Sequence, residues 1–226
     1  MIDVDKIKEI EKENKYKKKL LDIKYESLPF TDFLCPRYSM TVKVKAQKLY
    51  DYAKKNNIPF FNLTLACLLE AINKIPEFKR RIINNKVIEY ENLNAVTPIL
   101  QKDNSIRVIE IFPLSNFKSF NEWNEYVKYK KNNIEKEQYS KEPSMRDYEP
   151  ISNFSCIPWL DFDSMTNVIY SPHQIMPCIS WGKLNNDNIS ISLTASHIFI
   201  FGFHFKLFYE YSEKYLNNPE LIIKKE

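Results

Sequence analysis

The sequence contains very little glycine: only Gly182 and Gly202 occur in 226 residues. Glycine is the residue that adopts a positive φ, or allows close backbone contact, at little steric cost. A chain with two glycines is expected to keep them where the backbone needs them. We therefore predict that Gly202, which follows a short aromatic connector, has a positive φ or allows a close backbone approach.

Cysteine is also sparse and is not clustered. The four cysteines, Cys35, Cys67, Cys156 and Cys178, include no Cys-x-x-Cys pair, so we expect no metal site. The first residues lack the basic-then-apolar layout of a signal peptide, and no run approaches ~18 consecutive apolar residues. We therefore expect reduced thiols, a cytoplasmic location and no membrane partner.

The charge balance excludes another class of function. The net charge of +4 comes from 33 basic and 29 acidic residues, which is too even for a nucleic-acid footprint. A hydrophobic content of 44% and an aromatic content of 14% indicate a globular protein. A length of 226 residues predicts a single domain with a substantial core.

The predicted organisation has three parts. Residues 1–24 are charged and predict a surface helix or arm, residues 25–220 a single domain, and residues 221–226 a charged tail. Strands and helices are mixed without strict alternation, which favours a two-layer α/β (α+β-like) sandwich with a mixed sheet and helices on one face. Strands are predicted at 39–45, 86–90, 94–101, 106–112 and 189–196, and helices at 46–57, 59–73, 115–138 and 205–216.

One stretch near the carboxyl end carries the chemical signal. Residues 189–196 alternate between apolar and hydroxyl side chains, as in a strand with two different faces. Residues 205–216 have apolar side chains at helical spacing. His197 and Gly202 lie in the connector between them. A histidine at a strand end, ahead of a turn and a helix, is well placed for catalysis.

This connector resembles the active-site region of the chloramphenicol acetyltransferase family, which has His-x-x-x-Asp-Gly-Phe-His. Here the residues are His197-Ile-Phe-Ile-Phe-Gly-Phe-His204, so Phe201 stands where the family has aspartate. Pro158-Trp-Leu-Asp-Phe-Asp-Ser164 is similar to the family's Pro-Trp-x-x-Phe-x-Ser element. Ile179-Ser-Trp-Gly-Lys183 is similar to its coenzyme-facing segment. The resemblance spans roughly residues 30–216, in the family's order.

The resemblance implies a fold, an assembly and a reaction. It implies a homotrimer with active sites in clefts between subunits, and an acyl-coenzyme A donor, usually acetyl-CoA, used as co-substrate without a permanently bound cofactor. His197 would be the general base and Ser164 a hydrogen-bond donor to the reacting centre. Lys183 and Ser180 would face the coenzyme. The predicted function is acetyl transfer to a hydroxyl of a small, amphiphilic, chloramphenicol-type acceptor.

Four aromatic residues are candidates for the acceptor pocket. Phe30, Phe33 and Tyr38 belong to an aromatic, proline-broken segment, and Phe162 belongs to the element that ends at Ser164. Core packing is an equal alternative for Phe30, Phe33 and Tyr38. Gly202 and Phe201 are assigned structural roles within the motif.

The phenylalanine in the motif keeps a second reading open. In the family, the aspartate at this position pairs with an arginine near the amino terminus, and this chain has no arginine before Arg37. The alternative is a catalytically impaired trimeric relative that binds a ligand or partner. A third reading is an acyltransferase of the dihydrolipoamide type, but no lipoyl domain and linker precede residue 30, which argues against it.

Overall fold

The computed structural model describes residues 4–14 and 17–224, which form two sheets and seven α-helices. The strands are β1 Lys18–Lys24, β2 Arg37–Lys45, β3 Arg80–Ile83, β4 Lys86–Tyr90, β5 Asn94–Leu100, β6 Ile106–Ile111, β7 Ile151–Cys156, β8 Cys178–Trp181 and β9 Asn188–Ser196. The helices are α1 Val4–Asn14, α2 Gln47–Lys55, α3 Phe60–Asn73, α4 Phe120–Asn132, α5 Ile134–Glu137, α6 Gly202–Asn217 and α7 Glu220–Ile223.

The larger sheet has six strands in the order β2-β9-β8-β7-β5-β6. Its β5–β7 and β7–β8 pairs are parallel and the other pairs are antiparallel, so the sheet is mixed, as predicted. A smaller antiparallel sheet has the order β1-β4-β3. The long β2–β9 pairing sets Tyr38 opposite Ala195 and Thr41 opposite Ser192.

The two faces of the six-stranded sheet differ, as the alternation in β9 predicts. Ile189, Ile191, Leu193 and Ala195 are buried in the main hydrophobic core together with the apolar faces of α2, α3 and α6. The hydroxyl side chains of β9 point the other way. There they bond to the irregular segment 157–177, which crosses this face of the sheet. The helices therefore cover one face and this segment the other.

Three predicted elements need correction. Residues 18–24 form an edge strand paired with β4. In this strand the partly buried Leu21 and Ile23 alternate with exposed residues. The helix predicted at 115–138 is shorter and is followed by the separate turn of α5. The predicted tail begins inside α7, where Ile222 is buried. Residues 1–3, 15–16 and 225–226, part of the predicted arm and tail, lie outside the described residues.

Candidate active site

His197 lies directly after β9, at the end of the sheet where β2 begins. Its backbone N–H donates to the carbonyl of Pro36, which precedes β2, at 2.6 Å. The next residues form a tight turn in which the N–H groups of Phe199 and Ile200 donate to the carbonyl of Ser196. The paired strands and this turn fix the backbone that carries the imidazole.

A backbone carbonyl selects the tautomer of the His197 ring. Nδ1 lies 2.8 Å from the carbonyl oxygen of Ile200. A carbonyl oxygen only accepts, so Nδ1 carries the proton and the lone pair is on Nε2. The hydroxyl of Tyr38 donates to the same carbonyl at 3.1 Å. Among the described residues, Nε2 has no hydrogen-bond partner, so it is the nitrogen that can accept a proton.

Three aromatic rings surround the half-buried imidazole. Phe30 is stacked on it with ring centroids 4.3 Å apart, Tyr38 lies at 4.8 Å and Phe201 at 5.0 Å. Burial raises the pKa of Tyr38 to about 12, so its hydroxyl stays a donor at neutral pH. Phe33 is half exposed and contacts Phe30 edge-on at 4.9 Å. The structure thus places Tyr38 and Phe201 against His197, and Phe33 against Phe30.

Phe201 occupies the position before α6, where the family has aspartate. Its side chain has no acceptor for the first N–H groups of the helix. Instead, Nδ1 of His204 accepts the Phe201 N–H at 2.9 Å, and the His204 N–H donates to the Phe201 carbonyl. A histidine one turn into the helix therefore caps a terminus that begins without a side-chain acceptor.

The prediction for Gly202 is wrong, and the constrained glycine is Gly182. Gly202 has no positive φ, and a Cβ built on it meets nothing within 4 Å. A Cβ on Gly182 would lie 2.7 Å from the carbonyl oxygen of Leu160. That carbonyl accepts the N–H of Lys183 at 2.7 Å, so the backbone approach is held by a hydrogen bond.

Ser164 does not lie near His197 within one chain. Its neighbour Met165 is bonded to Thr41 and Ser192, on the sheet face opposite the helices. His197 is five residues beyond Ser192, which is roughly 16 Å along a strand. The imidazole contacts Tyr38, whose ring packs on Phe205 of α6, so it is on the helical face. Ser164 itself is exposed.

Lys183 is exposed and lines a cavity of about 700 Å³. We call this cavity the lysine cavity, because Lys183 and Lys131 of α4 both line it. Its walls also include Tyr50, Phe60, Phe61, Trp159 and Trp181. It lies where β7 and β8 end, which is the opposite end of the sheet from His197.

Lys131 lines the lysine cavity but was not among the predicted site residues. Its Nζ lies 5.0 Å from the centre of the Phe61 ring, and burial lowers the pKa of its ammonium. Among the described residues no carboxylate pairs with it. In sequence Lys131 is one of several lysines near the end of α4, and only the packing of that helix selects the one facing the cavity.

Two predicted site residues have structural roles. Ser180 is fully buried and its hydroxyl donates to Asn167 at 2.5 Å, so that hydroxyl is not available to a coenzyme. The ring of Phe162 lies against Gly182 and is not among the rings around His197. Both positions serve the packing of segment 157–177 on the sheet. Sequence spacing could not separate this role from ligand binding.

Two further features bear on the class of the site. Among the described residues, no group of three or more His, Cys, Asp or Glu side chains is arranged to hold a metal ion. In residues 4–14 and 17–224 no helix has the length and apolar character needed to cross a membrane. The site is a partly exposed histidine in a fixed tautomer, on an α/β fold with a separate aromatic, cationic cavity.

Comparisons with known proteins agree with this fold. The model of the family described as chloramphenicol acetyltransferase matches residues 22–211. A curated chloramphenicol acetyltransferase of Bacillus pumilus is 25% identical over 184 residues, which cover 77% of this chain and 80% of the relative. The chain therefore belongs to the chloramphenicol acetyltransferase family, a family of acyltransferase enzymes.

Solved structures show the same fold. A chloramphenicol acetyltransferase superposes with a TM-score of 0.75 at 24% identity, covering 88% of this chain and all of that one. The dihydrolipoamide acetyltransferase of Azotobacter vinelandii superposes with a TM-score of 0.61 at 12% identity, covering 83% of this chain and 84% of the other. The predicted two-layer fold with a mixed sheet is confirmed.

Proposed function

We propose that this protein transfers an acetyl group from acetyl-coenzyme A to a hydroxyl of a small amphiphilic acceptor of the chloramphenicol type. Residues 25–220 act as one domain, and the enzyme works in the cytoplasm as a homotrimer without a permanently bound cofactor. The observation that carries the proposal is the His197 ring, whose Nδ1 faces the Ile200 carbonyl and whose Nε2 is left as the base.

The proposed reaction needs one base and one hydrogen-bond donor. Nε2 of His197 takes the proton of the acceptor hydroxyl while the oxygen attacks the thioester carbonyl. The new C–O bond gives a tetrahedral oxyanion that accepts a hydrogen bond from Ser164. Collapse breaks the C–S bond, and the leaving thiolate takes the proton from Nε2. The products are the acetyl ester and free coenzyme A, with His197 neutral again.

The lysine cavity supports a nucleotide-bearing donor. Its aromatic walls suit a flat base, and a volume of about 700 Å³ falls within the range of small-molecule sites. Lys183 and Lys131 provide two ammonium groups for phosphates. The half-buried ammonium of Lys131 has no carboxylate partner in the described chain. A bound anionic ligand would therefore stabilise its charged form.

The separation of Ser164 from His197 supports a site shared between subunits. The two residues lie on opposite faces of one sheet, so a complete site needs His197 from one chain and Ser164 from a neighbour. The outer side of β2 gives such a neighbour a surface to contact. It is the edge of the six-stranded sheet, with Met40 and Val42 each 39% exposed. Unpaired edge strands favour pairing with another chain.

The test is a thiol-release assay with purified protein, acetyl-coenzyme A and chloramphenicol. We expect acetyl transfer, and we expect His197→Ala to lower kcat by roughly 10²–10⁴-fold, the usual contribution of a general base. Circular dichroism checks that the variant folds. Equal rates for the two proteins would remove His197 as the base.

Calorimetry with coenzyme A tests donor binding separately. We expect binding by the wild-type protein and weaker binding by Lys131→Ala and Lys183→Ala. Lys128→Ala is a matched control, because Lys128 is on the same helix and its Nζ is 2.7 Å from Glu125. No binding by the wild-type protein near millimolar concentration would contradict the proposed donor.

A further inference from the structure

Phe30 has an unusual backbone conformation next to the proposed base. Its φ is 61°, in the left-handed region, which is a genuine outlier for a bulky residue that is not glycine. Its carbonyl accepts the N–H of Phe33 in the turn that leads towards β2. Strained residues of this kind persist where the surroundings hold them and cluster at functional sites. The turn therefore points to a role for the Phe30 side chain.

The ring that this conformation directs lies flat on the imidazole of His197. The two centroids are 4.3 Å apart and the planes differ by 16°. Phe201 contacts the imidazole at a steep angle of 63°, and its centroid is 6.4 Å from that of Phe30. The imidazole is thus bounded by a parallel ring and a nearly perpendicular one, while Nδ1 is held by Ile200.

No acidic side chain supports the His197 ring in the described chain. Titratable or charged residues of the adjoining segments include Glu26, Asp32, Cys35, Arg37, Tyr38 and His204. None of their hydrogen bonds or ion pairs reaches a ring nitrogen of His197. Tyr38 is bonded to the Ile200 carbonyl, and Arg37 to backbone carbonyls that include that of Thr194.

We propose that Phe30 is a positioning residue for His197, whose ring face stabilises the imidazolium that forms during catalysis. The proposal rests on the proposed function, in which that imidazolium is an intermediate state. The negative face of an aromatic ring attracts a cation within about 6 Å of its centre. Phe30 meets this distance, and its parallel orientation also keeps the imidazole plane, and with it Nε2, in a fixed direction.

The test compares rate–pH profiles of variants that change the ring face. Phe30→Leu keeps an apolar side chain at the same strained position but removes the aromatic ring that stacks on His197. On the acidic side of the profile, we expect the pH of half-maximal rate to fall by about half a unit or more, because the imidazolium is less favoured. We also expect kcat to fall roughly tenfold, with the KM for acetyl-coenzyme A unchanged. Phe30→Tyr, which keeps the face, should retain the wild-type profile.

A second variant covers the case in which Phe30→Leu does not fold. Fluorinated phenylalanine at position 30 keeps the shape of the ring but weakens its negative face, and it should lower the half-maximal pH in the same direction. Phe203→Leu is the control, because Phe203 is 61% exposed and its ring contacts are to His204 and Lys206. We expect its profile to match the wild type.

The outcomes separate this proposal from the proposed function. Unchanged half-maximal points in Phe30→Leu and in the fluorinated protein would overturn the role of Phe30 and leave His197 as the base. A fully active His197→Ala variant would instead overturn the proposed function. A shift of the same size in Phe203→Leu would also overturn the proposal, because the effect would then not depend on contact with His197.

Discussion

At the scale of single residues, the histidine is supported by groups that differ from those of the family motif. Phe201 replaces the aspartate, and the chain has no arginine before Arg37. Arg37 itself donates hydrogen bonds to the carbonyls of Gln174, Met176 and Thr194. Losing both partners of an ion pair avoids the ~3–5 kcal/mol that a buried unpaired charge costs. The Ile200 carbonyl and the surrounding rings then orient His197.

The two glycines give a matched residue-level prediction. Gly182→Ala should destabilise the protein by about 1–3 kcal/mol, because the new Cβ would meet the backbone carbonyl of Leu160. Gly202→Ala should be neutral or stabilising by up to about 1 kcal/mol, because it begins a helix in open space. Urea unfolding measures both. A larger loss for Gly202→Ala would contradict the account.

The sequence was informative about some site residues and not about others. The pattern around His197 singled out the residue proposed as the base, since a strand-end histidine in a family motif is a local feature. It did not reveal that Ser180 bonds to Asn167, or that Lys131 faces the same cavity as Lys183. Those facts depend on contacts between segments far apart in the chain, which residue spacing does not encode.

At the scale of elements, the amino terminus of α6 depends on a neutral histidine. Burial lowers the pKa of His204, with Arg80 adding to the effect and Glu77 opposing it. Only the neutral ring offers Nδ1 as acceptor to the Phe201 N–H. The unfolded chain, with an ordinary pKa of 6.5, binds the proton more readily than the folded protein does.

This difference predicts acid sensitivity of α6. The stabilisation is fully present above about pH 6.5 and is lost as the pH falls through the lower folded value. Thermal melts between pH 7.5 and about pH 5 should therefore show a falling Tm. His204→Gln, whose amide oxygen can still cap the helix, should flatten that part of the curve. An identical slope in the variant would count against the cap.

Most elements were predictable from local patterns. The alternation at 189–196 predicted β9 and its two faces. The strand β1 was missed because its lysines dominate a short edge strand, whose pairing with β4 is not visible in its own sequence. The division of 115–138 into α4 and α5 also depends on tertiary packing.

At the scale of the whole molecule, the parts of the proposed site lie far apart in one chain. His197 is at one end of the six-stranded sheet on the helical face, the lysine cavity is at the other end, and Ser164 is on the opposite face. A single protomer cannot bring His197 and Ser164 together. In the proposed enzyme, a neighbouring copy therefore completes each active site.

Complementation between two inactive variants tests this claim most directly. His197→Ala and Ser164→Ala are assayed separately, then co-expressed so that mixed oligomers form. If each site takes His197 from one chain and Ser164 from another, about a quarter of the sites in a random mixture are wild-type. We expect acetyl transfer near that fraction of wild-type activity, far above either variant alone. Activity no higher than the average of the two variants would contradict it.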